Sequence, residues 1–144
     1  MALLQISEPG KGTLPHQHRN AIGIDLGTTN SLVATVQSGV ARILPDENHK
    51  QLIPSVVHYD ANAIRVGEEA VTIQEQDPIN TIASVKRLMG KKFTDVDANS
   101  YSNLLKDEGN FVGIHTKQGI KSAVEVSAEI LKKLKDIAAQ HIKD

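Results

Sequence analysis

The residues with the clearest chemical potential form one string, Gly23-Ile24-Asp25-Leu26-Gly27-Thr28-Thr29-Asn30-Ser31, set between two short apolar runs. Asp25, expected at the end of a buried strand, offers a carboxylate that can hold Mg²⁺ through the waters this ion retains. Gly27 permits a tight turn and lets the backbone approach a phosphate closely. Successive N–H groups from Gly27 to Asn30 can form an anion-binding nest, and the hydroxyls of Thr28 and Thr29 add donors to phosphate oxygens. A plain β-hairpin with a Gly-Thr turn accounts for any three of these residues. All nine together point to contact with the phosphates of a nucleotide.

Other candidate chemistry is weaker. Gly10-Lys11-Gly12-Thr13 lacks the earlier glycine of a P-loop, and no strand precedes it. His16 and His18 have no further ligand nearby and read as solvated histidines of a tail rather than a metal site. The chain has no cysteine, which excludes disulfides, thiolate zinc sites and cysteine-ligated iron–sulfur clusters within it and fits a reducing cytoplasm. Sixteen basic and seventeen acidic residues nearly cancel, so charge favours neither nucleic acid nor an anionic membrane as partner. Tyr59, Phe93, Tyr101 and Phe111 are the only aromatics, too few for a base-stacking platform. Ala2-Leu3-Leu4 is far shorter than a signal-peptide core, and no run approaches ~20 apolar residues. The expected location is the cytoplasm.

The elements that must position the string can be read from periodicity. A chain of 144 residues suits one domain, which buries roughly 68–70% of its unfolded surface. Residues 1–19, with Pro9, Gly10, Gly12 and Pro15 and no period, read as a flexible extension. Strands are expected at Ala21–Ile24, Ser31–Val36 and Ala41–Leu44, with a hairpin turn at Ser38-Gly39. Val56, Val57 and Tyr59 mark another strand, Ile64 to Val66 a further one, and the pattern turns helical from Gly67. Asp77-Pro78 reads as a helix start, with Ile79, Ile82, Val85 and Met89 at helical spacing and Gly90 as the stop. Residues 91–110 look polar and irregular, with a short helix as the alternative, and Phe111–His115 with Gly119–Lys121 suggests a hairpin. The capping box Ser122-x-x-Glu125 opens a final helix on the order of 30 Å long, with an apolar stripe through Ala123, Val126, Ile130, Leu134, Ile137 and Ala138. Lys132, Lys133 and Lys135 read as its solvated face.

The phosphate string resembles the first phosphate motif of the actin-like ATPase superfamily, which includes heat-shock-70 chaperones, sugar kinases and actin. The Asn30-Ser31 ending is similar to the chaperone version. Leu52-Ile53-Pro54-Ser55-Val56-Val57, Asn80–Gly90 and Ser127–Lys135 resemble three further chaperone segments in the right order. The start Met1–Gly10, with Ser31–Ala34 and Pro54–Tyr59, is similar to the branch of the heat-shock-70 family that serves iron–sulfur cluster assembly.

The resemblance implies an α/β fold of the actin-like ATPase (ribonuclease H-like) type, the first half of lobe I only, with a small α+β outer subdomain. Residues 20–144 would be the N-terminal part of a nucleotide-binding domain, divided into an opening hairpin and strand (20–50), an outer subdomain (51–121) and a returning helix (122–142). It implies ATP/ADP and Mg²⁺ as cofactors. Thr28, Thr29 and Asn30, with Gly27, would contact the β- and γ-phosphates, and Asp25 would orient Mg²⁺ through water. Lys86 would be the catalytic lysine at the γ-phosphate, its charge stabilising the transferred group, and Arg87 a structural ion-pair partner. The implied partners are a J-domain co-chaperone and an iron–sulfur scaffold protein. The implied parent is an ATP-hydrolysing chaperone, whereas this segment alone is expected to lack ATPase activity and to leave a strand edge and a helix face uncovered. The alternatives are a sugar kinase of the same superfamily and a non-enzymatic truncated fragment.

Overall fold

β-branched residues alternating with small ones build the first ladder. The computed structural model describes residues 21–142, so the expected extension over 1–19, with His16 and His18, lies outside the described residues. Ile22–Leu26 (β1) and Asn30–Gln37 (β2) pair antiparallel, with Ile22 opposite Thr35 and Leu26 opposite Ser31. Ser38 and Gly39 take φ of 52 and 79, the sense of twist a two-residue hairpin turn needs, and Val40–Ile43 (β3) returns along the second half of β2. Ile53–Pro54 (β4) takes the remaining part of that edge, opposite Asn30 and Ser31.

Two smaller sheets follow. Val56–Tyr59 (β5), buried at all four positions, lies between Ile64–Val66 (β6) and Thr81–Ala83 (β7). Val112–Thr116 (β9) lies between Leu104–Asp107 (β8) and Gly119–Lys121 (β10). Glu68–Ile73 forms a short helix (α1), and single 3₁₀ turns occupy Val85–Leu88, Phe93–Asp95 and Ala98–Ser100. Every strand pairing among the described residues is antiparallel.

The long helix Ala123–His141 (α2) makes one core of these parts. Its start is fixed by the expected capping box: the Glu125 amide donates to Ser122 Oγ and the Ser122 amide to Glu125 Oε1, each at 3.1 Å. The apolar stripe then buries Val126, Ile130, Leu134 and Ile137 against β1, β2, β5, β6 and β9. Lys132 and Lys135 stay exposed as expected, while Lys133 is half-buried and reaches Glu47 at 3.6 Å. The outward face of α2 exposes Val124 and Leu131, and β1 pairs only with β2 among the described residues.

Two expectations are corrected. There is no helix from Asp77 to Met89. Asp77 does not cap; its carboxylate accepts from the Asn80 amide at 2.9 Å and faces His58 Nε2 at 3.0 Å, and its carbonyl accepts from the Thr81 hydroxyl at 2.8 Å. That tight turn throws Thr81–Ala83 onto the free edge of β5, with Val57 opposite Ile82. Ser84 then turns through the left-handed region (φ 54, ψ 36) into the 3₁₀ turn. A tertiary ladder has overridden a helical period. Residues 91–110 are likewise not wholly irregular, since Leu104–Asp107 supplies a strand to β9.

Candidate functional site

The phosphate string forms the loop joining β1 to β2, and its shape is fixed from behind. The Ser55 hydroxyl donates to the Gly27 carbonyl and the Ser55 amide donates to the Thr29 carbonyl, both at 2.8 Å. Because that hydroxyl proton is committed to Gly27, the Ser31 hydroxyl is the donor in its 2.8 Å bond to Ser55 Oγ. Ser31 and Ser55 are both buried. They turn the loop's carbonyls inward, onto β4 and β5. Among the described residues, no hydrogen bond engages the amides or hydroxyls of Thr28 and Thr29, or the Asn30 side chain. A loop with two carbonyls held from behind and its threonine donors unengaged presents donors, the polarity an anion requires.

Gly27 has a specific steric reason. A Cβ at this position would collide with the carbonyl oxygen of Asn30, so the loop closes this tightly only around glycine. Asp25 sits one residue before the end of β1 and is exposed rather than buried at a strand end as expected. The cause is topological: β1 is an edge strand among the described residues. Among the described residues the Asp25 carboxylate makes no ion pair or side-chain hydrogen bond, so its oxygens face a hydrated cation without an internal competitor there. The described residues hold no cluster of three metal-ligating side chains. A lone carboxylate suits Mg²⁺, which keeps most of its waters and takes one or two protein ligands beside phosphate oxygens. The residues present therefore fit the implied ion and the implied phosphates.

Lys86 lies apart from the hairpin in sequence, on the 3₁₀ turn. Val85 and Leu88 bury that turn against the core, and α2 packs on it, so Lys86 and Arg87 are left exposed. No hydrogen bond or ion pair joins Lys86 to the hairpin, and Arg87 has no ion pair among the described residues. Both the hairpin strands and this turn rest on α2, which sets their relative position. Ser31 and Ser55 escaped the sequence reading as site residues. Their signal was present: a serine inside each of two otherwise apolar strand runs, Ser31-Leu32-Val33-Ala34 and Ile53-Pro54-Ser55-Val56-Val57.

A second polar cluster lies on the outer part of the molecule. His58 is buried; the Arg65 guanidinium donates to its Nδ1 at 3.4 Å, which assigns Nε2 as the protonated nitrogen that donates to Asp77. The His58 bond, then the Asn80 amide and the nearby Lys117 ammonium, hold the Asp77 carboxyl down at about 2. Lys117 reaches Asp77 at 3.4 Å and Asp60 at 3.8 Å, and its amide donates to Asn80 Oδ1 at 2.9 Å. The Ala61 amide and the Arg65 side chain lower the Asp60 carboxyl as well. These groups knot β5, the 77–80 turn and the β9–β10 turn together and leave no buried side-chain polar atom unpaired among the described residues.

Comparisons with known proteins agree with the motifs. A family profile described as Hsp70 protein matches residues 21–144. A "Chaperone protein HscA homolog" of Methylobacillus flagellatus is 58% identical over 142 residues, covering 97% of this chain and 23% of that protein. Proteins of the same description from Aeromonas hydrophila and Chromobacterium violaceum are 54% and 55% identical, each match covering 96% of this chain and 23% of the relative. The chain thus spans less than a quarter of the length of these relatives. The mixed sheet-and-helix architecture fits the opening part of the α/β actin-like ATPase fold, and the profile sets the sugar-kinase alternative aside. With the braced phosphate loop, the four motifs in order and a profile that covers all the described residues, the chain belongs to the Hsp70 family.

Proposed function

We propose that the whole protein is an ATP-dependent chaperone, acting in the maturation of iron–sulfur proteins in the cytoplasm with a J-domain co-chaperone and an iron–sulfur scaffold protein. The chain described here supplies one wall of its nucleotide site. The observation that carries this reading is the β1–β2 loop, in which Ser55 binds the Gly27 and Thr29 carbonyls while the donors of Thr28 and Thr29 have no partner among the described residues. Those donors and the Asn30 side chain take the β- and γ-phosphate oxygens of ATP, and Gly27 lets them approach. Asp25 orients the waters of Mg²⁺, an ion that supplies charge neutralisation to the phosphates when bound. Lys86, exposed on a turn anchored by Val85 and Leu88, carries the positive charge that stabilises the transferring phosphoryl group.

The test is made on the full-length gene product. Lys86→Ala is expected to lower ATP turnover by about 10²–10³-fold, the usual effect of removing one electrostatic stabiliser, while ATP still binds. Thr28→Ala is expected to weaken ATP binding instead. Turnover that is unchanged in Lys86→Ala refutes the catalytic assignment, and unchanged affinity in Thr28→Ala refutes the phosphate contact.

A further inference from the structure

A cleft of about 230 Å³ opens between the 3₁₀ turn after β7 and the segment leading into β8. None of the hairpin residues lines it. Its walls are Ser84 and Arg87 on one side and Ser100, Tyr101, Ser102 and Asn103 on the other, with the buried Thr81 between them.

Both walls are held by bonds that leave the cleft's own donors unused. On the first, the Arg87 amide closes the turn onto the Ser84 carbonyl at 3.0 Å. On the second, the Asn103 side-chain amide donates to the carbonyls of Pro78, Ile79 and Thr81, at 3.3, 3.0 and 2.9 Å, which fastens residues 100–103 to the turn before β7. Thr81 and Ser100 spend their hydroxyls internally, on the Asp77 carbonyl and the Asp97 carboxylate. The Arg87 guanidinium and the hydroxyls of Ser84, Tyr101 and Ser102 have no partner among the described residues. No carboxylate lines the cleft; Asp97, close by in sequence, is turned to the Asn99 amide at 3.1 Å and the Ser100 hydroxyl at 3.0 Å.

An arginine and several hydroxyls that line one cleft and have no partner among the described residues supply the donors of an oxyanion receptor. The planar fork of arginine binds two oxygens at once, to carboxylate or phosphate alike. Hydroxyl donors on the opposite wall add partners that a planar carboxylate, with two oxygens, cannot use together with the fork. A tetrahedral group can. We propose that this cleft is a second anion site, distinct from the nucleotide hairpin, and that it binds a phosphoryl group through Arg87, Ser84, Tyr101 and Ser102. The group is either free inorganic phosphate or the head of a small phosphate monoester.

The experiment is a titration of the ¹⁵N-labelled full chain, followed by amide and arginine side-chain resonances, with inorganic phosphate, glycerol phosphate, acetate and chloride at matched ionic strength. Saturable shifts at Ser84–Arg87 and Ser100–Asn103 with phosphate are expected, weaker at least about tenfold in Arg87→Gln and also weakened in Arg87→Lys, which keeps the charge but loses the fork. Paired substitution of Thr28 and Thr29 by Ala is expected to leave them unchanged, which separates this site from the hairpin. A matching response to glycerol phosphate identifies a monoester as ligand, and its absence identifies free phosphate. Equal shifts with acetate or chloride, a response confined to residues 27–30, or full retention in Arg87→Gln overturns the proposal.

Discussion

The β1–β2 loop and the Asp77–Asn80 turn are both tight, both polar, and both pinned to β5 or its entry, yet they are held by different forces. The loop is braced by neutral groups: two buried serine hydroxyls and one backbone amide. The turn is braced by charge: a carboxylate between a buried imidazole, an amide and an ammonium, with Asp60 and Arg65 behind them. A neutral brace leaves the local field free for a charged ligand and does not titrate. A charged brace is stronger per bond, about 1.5–3 kcal/mol against about 1 for neutral pairs, but it depends on pH. The β1–β2 loop has the pH-independent support that its proposed anion-binding role needs.

Gly27→Ala is the sharpest way to break the first region. Its Cβ meets the Asn30 carbonyl, backbone that cannot swing aside, so a loss of about 3 kcal/mol is expected in chemical denaturation, together with loss of nucleotide binding. A variant as stable as the parent would show that the loop can open without cost.

Asp77→Asn tests the second region and its titration. The folded carboxyl is depressed from 3.8 to about 2, so its contribution is fully present above about pH 4 and is lost as pH falls through about 2. Discounted for solvent screening of so accessible a carboxylate, that shift corresponds to about 1 kcal/mol. Urea midpoints of the parent should therefore fall between pH 4 and pH 2, and those of Asp77→Asn should fall less, the two curves converging at the acid end. Parallel curves would mean that Asp77 does not carry the acid response.

Ser55→Ala is expected to cost about 1–2 kcal/mol, by the same amount at pH 3 and pH 7, because the bonds it removes are neutral. A cost that varies over that range would erase the contrast between the two braces. Lys132→Ala, which removes an exposed pair with Glu129 at 3.2 Å on α2, is expected to move stability by no more than about 0.5 kcal/mol at any pH.

How much of this was legible in the sequence follows from where the determining forces lie. The β1–β2 loop, the Ser38-Gly39 turn and the Ser122 cap are encoded by neighbours within a few residues, so glycine, threonine and a capping box disclosed them. The 77–90 segment is decided by residues far away in the chain. Ile79, Ile82, Val85 and Met89 fit a helical period, yet Ile79 and Met89 are exposed and only Ile82 and Val85 are buried. The free edge of β5 and the claim of His58 on Asp77 settled that competition, and neither is visible in residues 77–90 themselves. Ser55 was hidden for the same reason, its partners lying 24 and 28 positions upstream. The residues proposed to bind phosphate were readable because their chemistry is local; their support was not, because it is tertiary.

The placement of α2 has a consequence for the birth of the molecule. It is the surface on which β1, β2, β5, β6 and β9 all close, yet it is the last of these elements to be synthesised. At about 5–20 residues per second, the ~100 residues from β1 to α2 take on the order of 5–20 s to appear. During that interval Val33, Val57 and Ile114 have no helix to cover them. The nascent chain must wait with its ladders bare, most open to sticking to other chains just before α2 emerges.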